Sequence, residues 1–147
     1  MREGIINCQC IKPVSVNSMY SGNPHSKRRF ITKEAKAWKQ YIADSVQYEL
    51  CGGKLQPESK PSMFEIWLHF TFPDQRKRDQ SNYTKPILDA LSGIIWDDDT
   101  QIYINHSSKE IKKGIWELYI AWRNVDIVEK NCQMNRIKKY FALTNAG

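Results

Sequence analysis

Five aspartates, Asp79, Asp89, Asp97, Asp98 and Asp99, crowd the segment between positions 77 and 101 of a 147-residue chain whose formal net charge is +6. Arg76, Lys77 and Arg78 directly precede the first of them. Carboxylates beside cations suit one kind of chemistry well. Phosphodiester hydrolysis with magnesium needs acidic oxygens more than imidazoles, because Mg2+ is a hard ion that takes about six oxygens and uses one or two protein carboxylates together with substrate phosphates. Such a metal polarises the phosphoryl group and helps to generate hydroxide, and a neighbouring lysine offsets charge that develops on the phosphate. Aspartate is also a favoured turn residue, so spacing alone leaves an ordinary structural reading of Asp79 and the triplet open.

The surrounding pattern says which elements must position these groups. Residues 4 to 11 alternate as a first strand. The stretch "PVSVNSMYSGNPHSKRRF" has no period and reads as a long loop, of the kind that is usually functional or mobile. Thr32 is placed to cap a helix from Lys33 to about Leu50, in which Ala35, Trp38, Ile42 and Val46 form one apolar stripe. In "MFEIWLHFTF", Phe64, Ile66, Leu68, Phe70 and Phe72 take one side of a strand and Glu65, Trp67, His69 and Thr71 the other. Helical character returns at Ile87, Leu88, Ala90 and Leu91, with Pro86 tolerable only near that helix's start and Gly93 at its end. Two strands around a Lys-Lys-Gly turn follow, and Asp126 with Glu129 reads as a capping pair for a last helix through Met134, Ile137 and Phe141. The expected class is α/β (α+β), a mixed sheet with packed helices in the order β-α-β-α-β-β-α. Asp79 then lies between a strand and a helix, and Asp98 and Asp99 precede the next strand.

Composition sets the wider limits. The chain has the size of one domain, long enough to bury roughly two thirds of its unfolded surface, and 41% hydrophobic residues with five Trp, seven Tyr and five Phe support an ordered core. No apolar run approaches the roughly 20 residues of a membrane helix. "MREGIINCQC" lacks a secretory pattern, so a soluble, cytoplasmic protein with no membrane partner is expected. Cys8, Cys10, Cys51 and Cys132 show no CxxC spacing and read as packing thiols, and His25, His69 and His106 lack ligand spacing. Twelve of the 22 basic residues fall in four groups: Lys27, Arg28 and Arg29; Arg76, Lys77 and Arg78; Lys109, Lys112 and Lys113; Arg136, Lys138 and Lys139. On one face they would supply phosphate contacts for sequence-independent nucleic-acid binding; on separate faces they are solvated patches.

The segment "RDQSNYTKPILDALSGIIWDDDTQI" resembles the RusA family of Holliday junction resolvases. The family signature is Arg-Asp-x-Asp-Asn, a lysine three residues after that Asn, a Leu-Asp-Ala-Leu helix with a following Gly, and Asp-Asp-x-Gln-Ile. Arg78-Asp79, Asn82, Lys85, Leu88 to Leu91, Gly93 and Asp98-Asp99-Thr100-Gln101-Ile102 fall in register with it. "KPVSVNSMY", "FITKEAKAWK" and a C-terminal hairpin extend the likeness over about residues 4 to 123. The implied division is a nuclease domain over 1–123, with 124–147 as a helical extension of the same domain.

The resemblance implies a homodimer that nicks branched, four-way DNA junctions in recombination and repair with Mg2+ or Mn2+. It makes Asp79 and Asp99 metal ligands, Asp98 a neighbouring candidate ligand, Lys85 the catalytic lysine, and Asp89 structural, supporting or ligating. The first three basic groups, Lys27, Arg28, Arg29, Arg76, Lys77, Arg78, Lys109, Lys112 and Lys113, are the expected DNA contacts. One position departs: the second Asp of the signature is Ser81. Native divergence, an introduced substitution and relocation of the ligand to Asp97 or Asp98 all fit. Three functions follow from this pattern: a junction-resolving endonuclease, a catalytically impaired junction-binding protein, and a metal-dependent nuclease of other branched or single-stranded DNA.

Overall fold

The computed structural model describes residues 3–9, 12–22, 29–49, 57–125 and 134–142. In chain order the elements are β1 (Glu3–Gln9), β2 (Tyr20–Gly22), β3 (Arg29–Ile31), α1 (Lys33–Glu49), β4 (Met63–Phe72), α2 (Ser81–Leu91), β5 (Ile102–Ile111) and β6 (Glu117–Val125). Residues 134–142 are helical. Four strands make one mixed sheet in the order β1-β6-β4-β5, and β2 pairs with β3 in a separate two-stranded sheet. This is the mixed α/β class that the periodicities predict.

The alternation in β4 decides where the core sits. Phe64, Ile66, Leu68, Phe70 and Phe72 are buried on one face, together with Leu118, Ile120 and Trp122 of β6. Against them pack Ala35, Trp38, Ile42 and Val46 of α1 and Tyr83, Ile87, Ala90 and Leu91 of α2. The predicted cap is present, with the Ala35 N–H donating to Thr32 Oγ1 at 3.2 Å. Cys8 joins the core, and burial pushes its thiol up to about 12, as suits a packing thiol. Cys10, Cys51 and Cys132 lie outside the described residues, as do Asp126 and Glu129.

Three differences from expectation have physical reasons. First, β5 and β6 are not a hairpin: β4 lies between them, parallel to β5 and antiparallel to β6. The Lys112–Gly114 turn crosses the end of β4, where the Lys112 N–H donates to Phe72 O and the Gly114 N–H to Pro73 O, both at 3.0 Å. Gly114 takes φ +74° there. A parallel pair needs a long crossover, usually helical, and α2 provides it between β4 and β5.

Second, α2 begins at Ser81, so Pro86 sits inside it. Proline removes one internal hydrogen bond and costs about 3 kcal/mol in a helix interior. Burial of Pro86 with Tyr83, Ile87, Ala90 and Leu91 offsets that cost. Third, the loop before α1 contains a 3-10 turn at Val16–Ser18 and the β2–β3 pair. It is pinned by buried Met19 and by Thr32, whose hydroxyl donates to Ser18 O at 2.8 Å.

Candidate active site

The chain leaving β4 is held before it reaches Asp79. The Arg78 guanidinium lies 2.6 Å from Asp74 Oδ1 and sits over the rings of Phe72 and Trp116, 5.4 and 4.9 Å from their centres. Its side chain is only 12% exposed. Lys109 Nζ on β5 donates to Arg78 O at 2.8 Å and fixes the same segment from the other side. Asp79 then folds over the start of α2, its Oδ1 accepting the Ser81 N–H at 3.0 Å. The Ser81 hydroxyl, then the Ser81 N–H, and the Lys109 charge hold the Asp79 carboxyl below its ordinary range.

One turn further along α2, Lys85 meets two carboxylates. Its Nζ lies 2.9 Å from Asp89 Oδ1, the i+4 position of the same helix, and 2.8 Å from Asp99 Oδ2. Asp99, then Asp89, raise the Lys85 pKa, and desolvation opposes them. Lys85 in turn is the largest cause of the lowered Asp99 pKa.

Asp99 comes from the connection between α2 and β5, which is built to stand still. Gly93 at φ +84° turns the chain out of α2, and its N–H donates to Trp96 O at 2.7 Å. Trp96 is fully buried and bridges both Ser92 and Glu58. Asp98 caps the Asp99–Gln101 3-10 turn, accepting the Thr100 N–H at 3.2 Å. Beneath it, Gln101 is 1% exposed. Its Oε1 accepts the Asp97 and Asp98 N–H groups at 2.9 and 3.1 Å, and its Nε2 donates to Glu58 O and Ser62 O at 2.8 and 3.1 Å.

An open groove of about 560 Å³ runs along α2 and β5, lined by Asp79, Ser81, Lys85, Asn105 and Ser107 among others. Among the described residues, no three Asp, Glu, His or Cys side chains gather closely enough to enclose a metal ion. Two carboxylates do converge on a single positive charge, however, and oxygen donors in that arrangement are what a hard divalent cation takes alongside water and phosphate.

Against this geometry stands one comparison. A family profile described as Endodeoxyribonuclease RusA matches residues 11–120. The chain belongs to the RusA endodeoxyribonuclease family. Membership implies an endonuclease that resolves Holliday junctions. No curated protein matches the chain.

The RusA match takes in the whole acidic segment and α2. Of the residues singled out for metal, Asp99 meets Lys85, Asp98 caps the neighbouring turn, and Asp79 stands on the groove beside Ser81. Of the basic groups, 76–78 and 109–113 gather at the end of β4, through the Lys109 bond to Arg78 and the Lys112 bond to Phe72. Arg76, Lys77, Lys109, Lys112 and Lys113 are exposed, whereas the Arg78 head is taken by Asp74 and two rings. Lys27 and Arg28 lie outside the described residues, and Arg29 opens β3.

Asn105, Ser107 and the buried amide of Gln101 were not among the residues predicted for the RusA site. Gln101 stands in the Asp-Asp-x-Gln-Ile run, but a glutamine carries no periodic signal that would mark it as buried. No helix among the described residues is long and apolar enough to cross a membrane.

Proposed function

We propose that this chain is a Mg2+- or Mn2+-dependent, structure-selective endonuclease that resolves four-way DNA junctions in recombination and repair, as a cytoplasmic homodimer. The observation that carries the reading is the meeting of Lys85 with Asp89 and Asp99 beside a groove that also holds Asp79. In this reading Asp79 and Asp99 would hold the divalent cation, with Asp98 or Asp89 in support, and the convergence of Asp89 and Asp99 on Lys85 supports it. A cation bound there would polarise the phosphodiester and lower the pKa of an attacking water.

The protein's own groups do the rest. Lys85, which lines the groove beside Asp89 and Asp99, would offset charge that develops on the phosphate in the transition state. Lys109 holds the Asp79 segment against β5. Arg76, Lys77, Lys112 and Lys113 contact phosphates and release counterions. The nuclease domain runs to the end of β6 at Val125, and the residues after it form an extension of that domain.

A second reading is a junction-binding protein impaired in cleavage. It is favoured by Ser81, which offers a neutral hydroxyl where the family signature has a carboxylate, and by the absence of a three-ligand cluster among the described residues. One assay separates them: a labelled four-way junction and a linear duplex of equal length, with and without Mg2+ or Mn2+. Metal-dependent, paired cuts in the junction support the endonuclease. Junction binding without cuts under either metal supports the impaired form, and equal binding to both DNAs removes the junction assignment.

A further inference from the structure

We infer that Gln101 is a positioning residue for the reaction, one that holds the Asp97–Asp99 backbone so that Asp99 keeps its place when Lys85 leaves it. The inference rests on the endonuclease reading above and deepens it. A glutamine amide offers one oxygen with two lone pairs and a nitrogen with two protons, and all four are used here within 3.1 Å.

The partners lie on two segments far apart in sequence. On one side are consecutive N–H groups of the acidic run; on the other are carbonyls at 58 and 62, just before β4. Because Gln101 is 1% exposed, water cannot take over these bonds if the amide is removed. Trp96 ties the base of the connection and Gln101 ties its acidic tip.

The Asp99 carboxylate pairs with the Lys85 ammonium, whose side chain is 54% exposed and ends a flexible four-carbon stem. Once that contact is given up, the backbone beneath Asp99 has to fix the ligand direction. Groups that orient ligands in this way change metal affinity or activity by roughly 10- to 100-fold when removed. Position alone suits Gln101 to this, since it reaches Asp98 N–H, one residue from Asp99, without touching the groove.

Two substitutions and one measurement on the unmodified chain test the inference. Gln101→Glu keeps shape and accepting oxygen but turns an oxygen toward the Glu58 and Ser62 carbonyls; Gln101→Leu removes all four bonds. At a temperature where circular dichroism shows each variant fully folded, Mn2+ affinity by calorimetry and kcat on a four-way junction are both expected to fall roughly 10- to 100-fold, with the junction KM unchanged. Folded variants with unaltered Mn2+ affinity and kcat overturn the inference. In the unmodified chain the Asp97 and Asp98 amides are expected to exchange with solvent as slowly as those of β4, and exchange at the rate of an open turn overturns it whether or not either variant folds. Should the unmodified chain leave junctions uncut, the endonuclease reading fails, while Mn2+ affinity and amide exchange still judge Gln101.

Discussion

Lys85 Nζ stands 2.8 Å from Asp99 Oδ2, so the helix that carries the lysine and the turn that carries the aspartate are joined by an ion pair inside the groove region. A cation and this ammonium compete for the same oxygens. Lys85→Met is therefore expected to tighten Mn2+ binding in the absence of DNA by roughly 2- to 30-fold, taking two partly exposed pairs at about 0.2 to 1 kcal/mol each. Junction cleavage by the same variant should fall by roughly 100- to 1000-fold, the usual drop when a stabiliser of transition-state charge is removed. Weaker Mn2+ binding in the Met variant would show that the lysine assists the metal instead of competing with it.

Ser81→Asp should raise both Mn2+ affinity and junction cleavage with little change in junction binding, because it adds a ligand to the groove and no DNA contact. Three carboxylates without a metal repel one another, so the metal-free variant should melt lower and recover when Mn2+ is added. Calorimetry beside a cleavage assay reads both effects. Unchanged affinity together with unchanged cleavage would place position 81 outside the metal's reach.

Exposed Arg76 and Lys77 differ from half-buried Arg78 in what they are expected to do. Replacing Arg76 and Lys77 by Gln should reduce the slope of log affinity against log salt by about 0.9 for each phosphate that is no longer neutralised. Arg78→Gln should leave that slope alone and destabilise the fold by roughly 1 kcal/mol, since the guanidinium is stacked on Phe72 and Trp116. A slope change in the Arg78 variant at unchanged melting temperature would return it to the DNA-binding set.

Asp74 provides a pH test of the same clamp. The Arg78 side-chain hydrogen bond, followed by the Arg76 N–H, holds its carboxyl below the ordinary range. A folded-state pKa that is depressed contributes stability in full above the unfolded value of about 3.9, and the contribution is lost as pH falls through the folded value. Asp74→Asn should therefore lower the melting temperature near neutral pH, and the deficit should shrink in acid below about pH 3.9. An equal deficit at both pH values would mean the carboxylate charge plays no part.

Much of the frame is legible where the signal is local. The Ala35, Trp38, Ile42 and Val46 stripe, the alternation of β4, the Thr32 cap and the positive-φ turns at Gly93 and Gly114 each depend on residues within one or two turns of one another. The ion pair between Lys85 and Asp89 has the same local character. What misled was also local. Pro86 suggested a helix start, yet tertiary burial carries α2 back to Ser81, and the Lys112–Gly114 turn suggested a hairpin although β4 intervenes. The contacts that complete the site, Lys85 with Asp99 and Gln101 with Glu58 and Ser62, span 14 to 43 positions and leave no periodicity to read.

Strand order has a consequence for the life of the chain during synthesis. In the sequence β1-β6-β4-β5 the first-made strand neighbours the last. While the ribosome is still extending the chain, β4, α2 and β5 can close as a unit and bring Lys85 to Asp99, but β1 waits for Glu117–Val125 and β4 keeps an open edge until the same moment. Distant pairings close slowly, and an open edge invites pairing with other chains. The acidic centre can thus assemble before the sheet that supports it is complete, and β6 is the segment whose arrival ends the period in which the nascent protein is most prone to aggregate.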